Sequence, residues 1–190
     1  MAYLSQIQLE SMGFKKLGKD VKVSDKASIY NADQIELGDH ARIDDFCSIS
    51  GRVTIGRFNH ITPMCLIAGG LRGVVLDEFC TLAYGVKVFA QSDDYSGATL
   101  ANSLIPKKFK NEFFAAVSLE RHVIVGTNAV IFPGVTLAEG CAVGAMSLVT
   151  KSTVPWGIYT GIPAKRIKER SRELLKRESE FLEEYMNDSV

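Results

Sequence analysis

Aliphatic residues recur every six positions along most of this chain. From 119 to 149 they are Leu119, Val125, Ile131, Leu137, Val143 and Val149. An α-helix repeats its faces at about 3.6 residues and a flat strand at about 2, so neither produces this period. A six-residue period is the signature of a parallel β-helix solenoid. The same spacing begins faintly at Val23 and Ile29 and runs firmly through Leu37, Ile43, Ile49, Ile55, Ile61 and Ile67. After a three-residue insertion around Gly69-Gly70 it resumes at Leu76, Leu82 and Val88. Three hexads close one triangular coil, which stacks residues 18 apart in the chain. Gly38, Gly56, Gly126 and Gly144 directly follow core aliphatics, where a tight corner favours a residue without a Cβ.

The period is absent from three segments. Residues 1–20 read as a short amphipathic cap with Tyr3, Leu4, Ile7 and Leu9 as its apolar positions, covering the open end of the first coil. Residues 89–118 form a long inserted loop. Loops of that length are usually functional or disordered, and Phe109, Phe113 and Phe114 argue for packing, either across the solenoid or onto a neighbouring subunit. The coil is expected to end near Val154-Pro155-Trp156-Gly157, with Pro163 in the first turn of a C-terminal α-helix over 163–187. In that helix Ile167, Leu174, Leu175, Phe181, Leu182 and Tyr185 keep helical spacing, as a capping or oligomer-contact helix does. The reading is therefore one mainly β domain over 1–190, with the β-helix spanning 21–157.

Composition narrows the partners. The 22 Lys and Arg balance the 22 Asp and Glu, which gives no footprint for nucleic acid and no charged tail for a membrane surface. No apolar run approaches the ~20 residues a membrane span needs, and the N-terminus lacks a cationic leader, so a soluble cytoplasmic protein is expected.

The four cysteines follow the hexad phase. Cys47, Cys65, Cys80 and Cys141 each lie two residues before a core aliphatic, a phase otherwise held by Val53, Val74, Val86, Val123, Ala129, Val135 and Ser147. Small inward side chains belong there, and the expectation is structural thiols rather than a zinc or redox site, since no C-x-x-C pair occurs. Of the three histidines, His40 and His122 share an outward phase and read as ordinary exposed residues. His60 lies one residue before Ile61 and faces outward, with Thr81 and then Ile124 stacking beyond it on later coils.

The hexads, the run I-F-P-G-V-T-L-A-E-G-C-A-V-G-A-M-S-L-V-T-K from Ile131 to Lys151, and G-I-P-A-K-R-I-K from Gly161 to Lys168 resemble the hexapeptide-repeat acyltransferases of the left-handed parallel β-helix type. Within that type the chain is similar to the galactoside and maltose O-acetyltransferases and to sugar acetyltransferases of bacterial surface-polysaccharide pathways. The resemblance covers nearly the whole chain. It implies a homotrimer, acetyl-CoA as donor without a metal, a sugar or nucleotide-sugar acceptor, and active sites between subunits. Position by position it implies coenzyme A contacts at Ala145, Thr150, Lys151 and Lys168. Ile124 stands where such enzymes often carry an aromatic residue near the donor.

A hydroxyl or amine attacking a thioester must lose a proton, for which a histidine neutral near pH 7 is the usual base. The segment leading into the long loop, where the galactoside and maltose enzymes carry their histidine, reads Phe89-Ala90-Gln91-Ser92-Asp93-Asp94-Tyr95 and has none. Either His60 supplies the base from another coil, or an amine acceptor reacts with less help while Asp93 or Asp94 binds and orients it. The sequence therefore points to acetyl transfer to a hydroxyl or amino group of a sugar with His60 as base; the alternative acceptor is the amine of a dTDP-linked 4-amino-4,6-dideoxy sugar. Two further classes share the solenoid. A γ-type carbonic anhydrase wants a close H-x-x-x-x-H pair, and His40, His60 and His122 are scattered. A non-catalytic scaffold would leave the long loop and the intact G-A-M-S-L-V-T-K without a purpose.

Overall fold

The computed structural model describes residues 2–188. The chain winds as a triangular parallel β-solenoid with three stacked rows of inward aliphatics. The first face stacks Leu17, Leu37, Ile55, Leu76, Leu119 and Leu137. The second stacks Val23, Ile43, Ile61, Leu82, Val125, Val143 and Tyr159. The third stacks Ile29, Ile49, Ile67, Val88, Ile131 and Val149. From Leu37 to Leu137 the aliphatics of these rows are buried to within 1%. Each such side chain is stabilising by roughly 1.5–3 kcal/mol, against about 0–1 kcal/mol for an exposed ion pair. The Lys15–Glu36 pair at 2.6 Å is one of the latter, so the stacks and not the surface charges hold the coil.

Two strands, Ser48–Ile55 and Leu66–Leu76, run without a break from the third face around the corner onto the first. The three extra residues near Gly69-Gly70 bulge outward at that corner, and the register resumes at Val74 opposite Val53. The four cysteines are buried inside the coil as free thiols. Cys47 Sγ donates to the Thr62 carbonyl at 3.1 Å, Cys65 Sγ to Ala83 at 3.2 Å, and Cys80 Sγ to Glu120 at 3.2 Å. Burial pushes the Cys80 thiol up to about 12, which keeps it protonated and inert.

The ends differ in part from the sequence reading. The N-terminal helix is short, Gln6–Ser11, opened by a reciprocal Ser5–Gln8 capping box. Leu9 seals the first coil at 1% exposure, whereas Ile7 points outward at 79%. Tyr3 and Leu4 lie before the helix, where Tyr3 bridges to Ser24.

The C-terminal helix does not start at Pro163. Gly157–Gly161 adds a last strand to the second face, and Ala164–Glu169 folds back on it antiparallel through a turn containing the cis Ile162-Pro163 bond. Ile158, Tyr159, Thr160 and Ile167 favour strand, and Gly161 takes φ +104°, which ends the strand and reverses the chain. Ile167, counted above as helical, is an exposed strand residue. The helix is Glu173–Asp188.

That helix runs back along the corner between the first and second faces, against a ladder of rings. His40 stacks on Phe58 at 4.9 Å, Phe58 on Phe79 at 5.1 Å, and Phe79 on His122 at 5.4 Å, with Trp156 beyond at 6.4 Å. Phe181 and Tyr185 meet Phe58 edge-on, and Glu178 accepts a hydrogen bond from His122 Nε2 at 3.0 Å. His40 and His122 are therefore not ordinary exposed residues: His122 is buried, and both serve as rungs under the helix. Each rung takes positive φ, from 55° to 63° over His40, Phe58, Phe79, His122 and Trp156. That conformation costs non-glycine residues roughly 1–2 kcal/mol, which ring contacts of about 0.5–1.5 kcal/mol each offset. No helix among the described residues is long and apolar enough to cross a membrane.

Candidate active site

The long loop leaves the solenoid at the corner between the third and first faces. Its base is a two-stranded antiparallel ladder, Gln91 opposite Phe114 and Ser92 opposite Phe113. Residues 93–112 therefore hang from the coil as an extended hairpin. Phe109 and Phe113 remain about half exposed. Beneath the loop lies a cavity of about 360 Å³, floored by Leu66, Ala68, Phe89 and Phe132 of the third face and rimmed by Asp93 and Glu112.

The structure separates the two aspartates named from the sequence. Asp94 turns into the loop: Oδ1 accepts from the Ser96 backbone N–H at 2.8 Å and Oδ2 from the Thr99 hydroxyl at 2.8 Å. The Ser96 hydrogen bonds, then that of Thr99, hold its carboxyl below the usual range. Asn111 N–H in turn donates to Thr99 Oγ1 at 3.2 Å, so Asp94 ties the two arms of the loop together. Asp93 instead borders the cavity. Glu112 receives Lys110 Nζ at 3.0 Å, with the lysine side chain 6% exposed.

His60 lies elsewhere, on the second face between Arg42 and Thr81. The order His60, Thr81, Ile124 read from the hexads is the observed one. Its Nε2 is 2.8 Å from Asp44 Oδ2, and Asp44 also accepts from Arg42 Nε at 2.7 Å and the Tyr3 hydroxyl at 3.1 Å. Asp44 is 2% exposed. Burial alone would raise its carboxyl, but the Arg42 and His60 hydrogen bonds outweigh that and hold it below the usual range. An ionised Asp44 accepting from Nε2–H fixes the orientation of the ring. No hexad rule points to Asp44 as His60's partner; the signal is that residue 44 follows Ile43, in the coil directly below His60.

Ala145, Thr150, Lys151 and Lys168, for which the resemblance implies coenzyme A contacts, sit at the C-terminal end of the solenoid, all exposed. Ala145 follows the strand Ala142–Val143 on the second face, packed so that a Cβ on Gly126 would lie 2.5 Å from its backbone N. Thr150 and Lys151 follow Leu148–Val149 on the third face. Lys168 is on the outer strand of the terminal hairpin, opposite Ile158. The last coil collects them, but on two faces, and none lines the cavity beside Asp93. Among the described residues no group of three or more His, Cys, Asp or Glu is placed to hold a metal ion.

No family model matches the chain. It is 38% identical over 193 residues to the dTDP-4-amino-4,6-dideoxy-D-glucose acyltransferase of Escherichia coli, with both chains covered in full. Among solved structures it superposes with a TM-score of 0.95 on AntD, an N-acyltransferase from Bacillus cereus in complex with dTDP and 3-hydroxybutyryl-CoA, at 44% identity over 97% of this chain and 98% of that one. A variant of AntD in complex with dTDP-4-amino-4,6-dideoxyglucose and coenzyme A gives a TM-score of 0.94 at 44% identity, covering 96% of this chain and 98% of that one. A β-solenoid of the expected hexad register, matched end to end by an acyltransferase of a nucleotide-linked sugar, places this chain in the family of hexapeptide-repeat sugar acyltransferases that use acyl-CoA.

Proposed function

We propose that the protein transfers an acyl group from acyl-CoA to the 4-amino group of a dTDP-linked 4-amino-4,6-dideoxy sugar. The observation that carries this reading is the chemistry of the cavity under the loop: an apolar floor for a deoxy sugar and the carboxylates of Asp93 and Glu112 at its rim, with no histidine lining it. A hydroxyl acceptor needs a base within hydrogen-bond reach, whereas an amine is a competent nucleophile once it has lost its ammonium proton. Asp93 binds and orients that ammonium. The neutral amine attacks the thioester carbonyl, the C–S bond breaks, and the nitrogen's surplus proton ends on the departing thiol.

The full-length likeness to the Escherichia coli enzyme and to AntD supports the same substrates. Acetyl-CoA is the donor expected from the sequence, and 3-hydroxybutyryl-CoA is the one bound by AntD. Ala145, Thr150, Lys151 and Lys168 are assigned to the coenzyme A groove. The assembly is a homotrimer, and its contact follows the corner between the second and third faces. There Phe46, Met64, Tyr84 and Met146 are each more than half exposed, while the ladder corner is covered by the chain's own helix. His60 lies outside the cavity, held by Asp44 on the second face, and the amine reaction proceeds without it, the ammonium's proton passing to solvent before attack. Incubation with dTDP-4-amino-4,6-dideoxyglucose and either acyl-CoA tests the reading: thiol release with the matching amide mass is expected, and turnover of unaminated sugars only would overturn it.

A further inference from the structure

The three-residue insertion is not required by the core, since the coil directly below turns the same corner from Ile49 to Ile55 without it. It is nevertheless built with care. Gly69 and Gly73 wrap the backbone of Arg52 on the preceding coil: a Cβ on Gly69 would lie 2.0 Å from the Arg52 carbonyl oxygen, and one on Gly73 3.5 Å from it. Gly51, Gly70 and Gly73 take φ of +73°, +50° and +92°, and a Cβ on Gly51 would meet Gly70 N at 2.6 Å. Backbone so closely fitted at positive φ requires glycine. The product is an outward bulge that carries Arg72 at the same corner as Arg52.

Both guanidiniums line an open groove of about 560 Å³. Neither has a hydrogen bond or ion pair among the described residues, unlike the arginines at 42, 57, 121, 166, 170, 172 and 177. Of the other charges in the groove, Lys15 and Glu36 neutralise each other at 2.6 Å, which leaves two free guanidiniums against Asp33. Guanidiniums free of protein partners suit bidentate binding of phosphate oxygens.

The bulge is also continuous with the cavity. Gly70 packs under the Gln91 side chain, where a Cβ would lie 2.6 Å from Oε1, and Gln91 lines the cavity beside Asp93. Arg52, the bulge and Gln91 thus occupy one corner on three successive coils. Two coil spacings amount to about 10 Å, comparable to the reach from an amino group across a pyranose ring and its anomeric oxygen to a diphosphate.

We propose that Arg52 and Arg72 form the subsite for the diphosphate of the acceptor, with the sugar running along the corner from the bulge to Asp93. This rests on the amino-sugar reading above. Coenzyme A also carries a diphosphate, so the shared chemistry is a diphosphate ester, and the test separates the two sources.

Arg52→Ala, Arg72→Ala and the double variant are compared with wild type in the full-length protein. dTDP binding is measured by calorimetry, KM separately for the dTDP-amino sugar and for acyl-CoA, and folding by thermal melts. Each substitution is expected to weaken dTDP binding about tenfold and to raise the acceptor KM to match. The acyl-CoA KM is expected to stay within about twofold of wild type. Unchanged dTDP affinity, or a rise confined to the acyl-CoA KM, would overturn the subsite. Should Arg52→Ala melt early because its backbone anchors the bulge, the exposed Arg72→Ala variant decides alone. A wild type that binds dTDP but acylates no amino sugar would sink the reaction assignment, and the arginine comparison on dTDP would still judge the subsite. A wild type that binds no dTDP overturns both.

Discussion

Gly140 lies directly against the indole of Trp156: a Cβ at Gly140 would sit 2.4 Å from the ring. Gly140 occupies the rung of the corner ladder between His122 and Trp156 and takes φ +65° like its neighbours. The glycine replaces a ring at that level and lets Trp156 close over the end of the ladder. Gly140→Ala is expected to cost about 2–3 kcal/mol, combining overpacking with a disfavoured backbone conformation. A urea midpoint equal to wild type would show that the contact relaxes freely.

The same ladder holds the C-terminal helix. Phe79 stacks between Phe58 and His122 and meets Phe181 edge-on at 6.3 Å. Phe79→Ala is expected to cost about 3 kcal/mol and to loosen the helix Glu173–Asp188 before the coil. Hydrogen exchange gives the readout: amides at 174–185 should exchange faster while those of Leu66–Leu76 keep their protection. Uniform exchange over both regions would mean the helix is not separately anchored by the ladder.

Asp44 makes stability depend on acid. Its folded-state carboxyl lies below the ordinary value, because the Arg42 and His60 hydrogen bonds overcome the opposing effect of burial. A depressed carboxyl contributes fully above the unfolded value of about 4 and loses that contribution as pH falls through the folded value. Asp44→Asn is expected to cost about 3 kcal/mol at pH 7, with the gap to wild type narrowing below about pH 4. A gap that stays constant from pH 7 to pH 3 would contradict the ionised network.

Asp93 and Asp94 should separate in function. Asp93→Asn is expected to lower kcat/KM for the amino sugar at least about tenfold with an unchanged Tm. Asp94→Asn removes the acceptor for Ser96 N–H and the Thr99 hydroxyl, and should first show as faster exchange across 96–111. Equal kinetic losses with equal loop protection in the two variants would contradict the division.

The core was legible because every sixth residue points inward on all three faces, so Leu37, Ile43 and Ile49 announce three rows at once. The outward stacking of His60 on Thr81 followed from the same arithmetic. The corners were not legible. Phe58 and Phe79 share the phase of His40 and His122, and hydrophobic patterning has no rule that puts phenylalanine at positive φ, so the pattern gives the C-terminal helix but not the ladder it packs on. Pro163 misled because proline suits both a first helical turn and a hairpin reversal, and only pairing of Ala164–Glu169 with the last coil distinguishes them. In the loop, Asp93 and Asp94 are chemically identical in sequence. The tie from Asp94 to Thr99, and from Thr99 to Asn111, depends on a fold-back that no local motif encodes.

The most direct test of the account compares two acceptors that differ in one atom: dTDP-4-amino-4,6-dideoxyglucose and the same nucleotide sugar with a hydroxyl at C4. With acyl-CoA saturating, kcat/KM for the amine is expected to exceed that for the hydroxyl by at least about a hundredfold, since the cavity offers carboxylates to bind an ammonium and no histidine to deprotonate an alcohol. Equal rates on the two, or a preference for the hydroxyl, would contradict the assignment of amine acylation to this site.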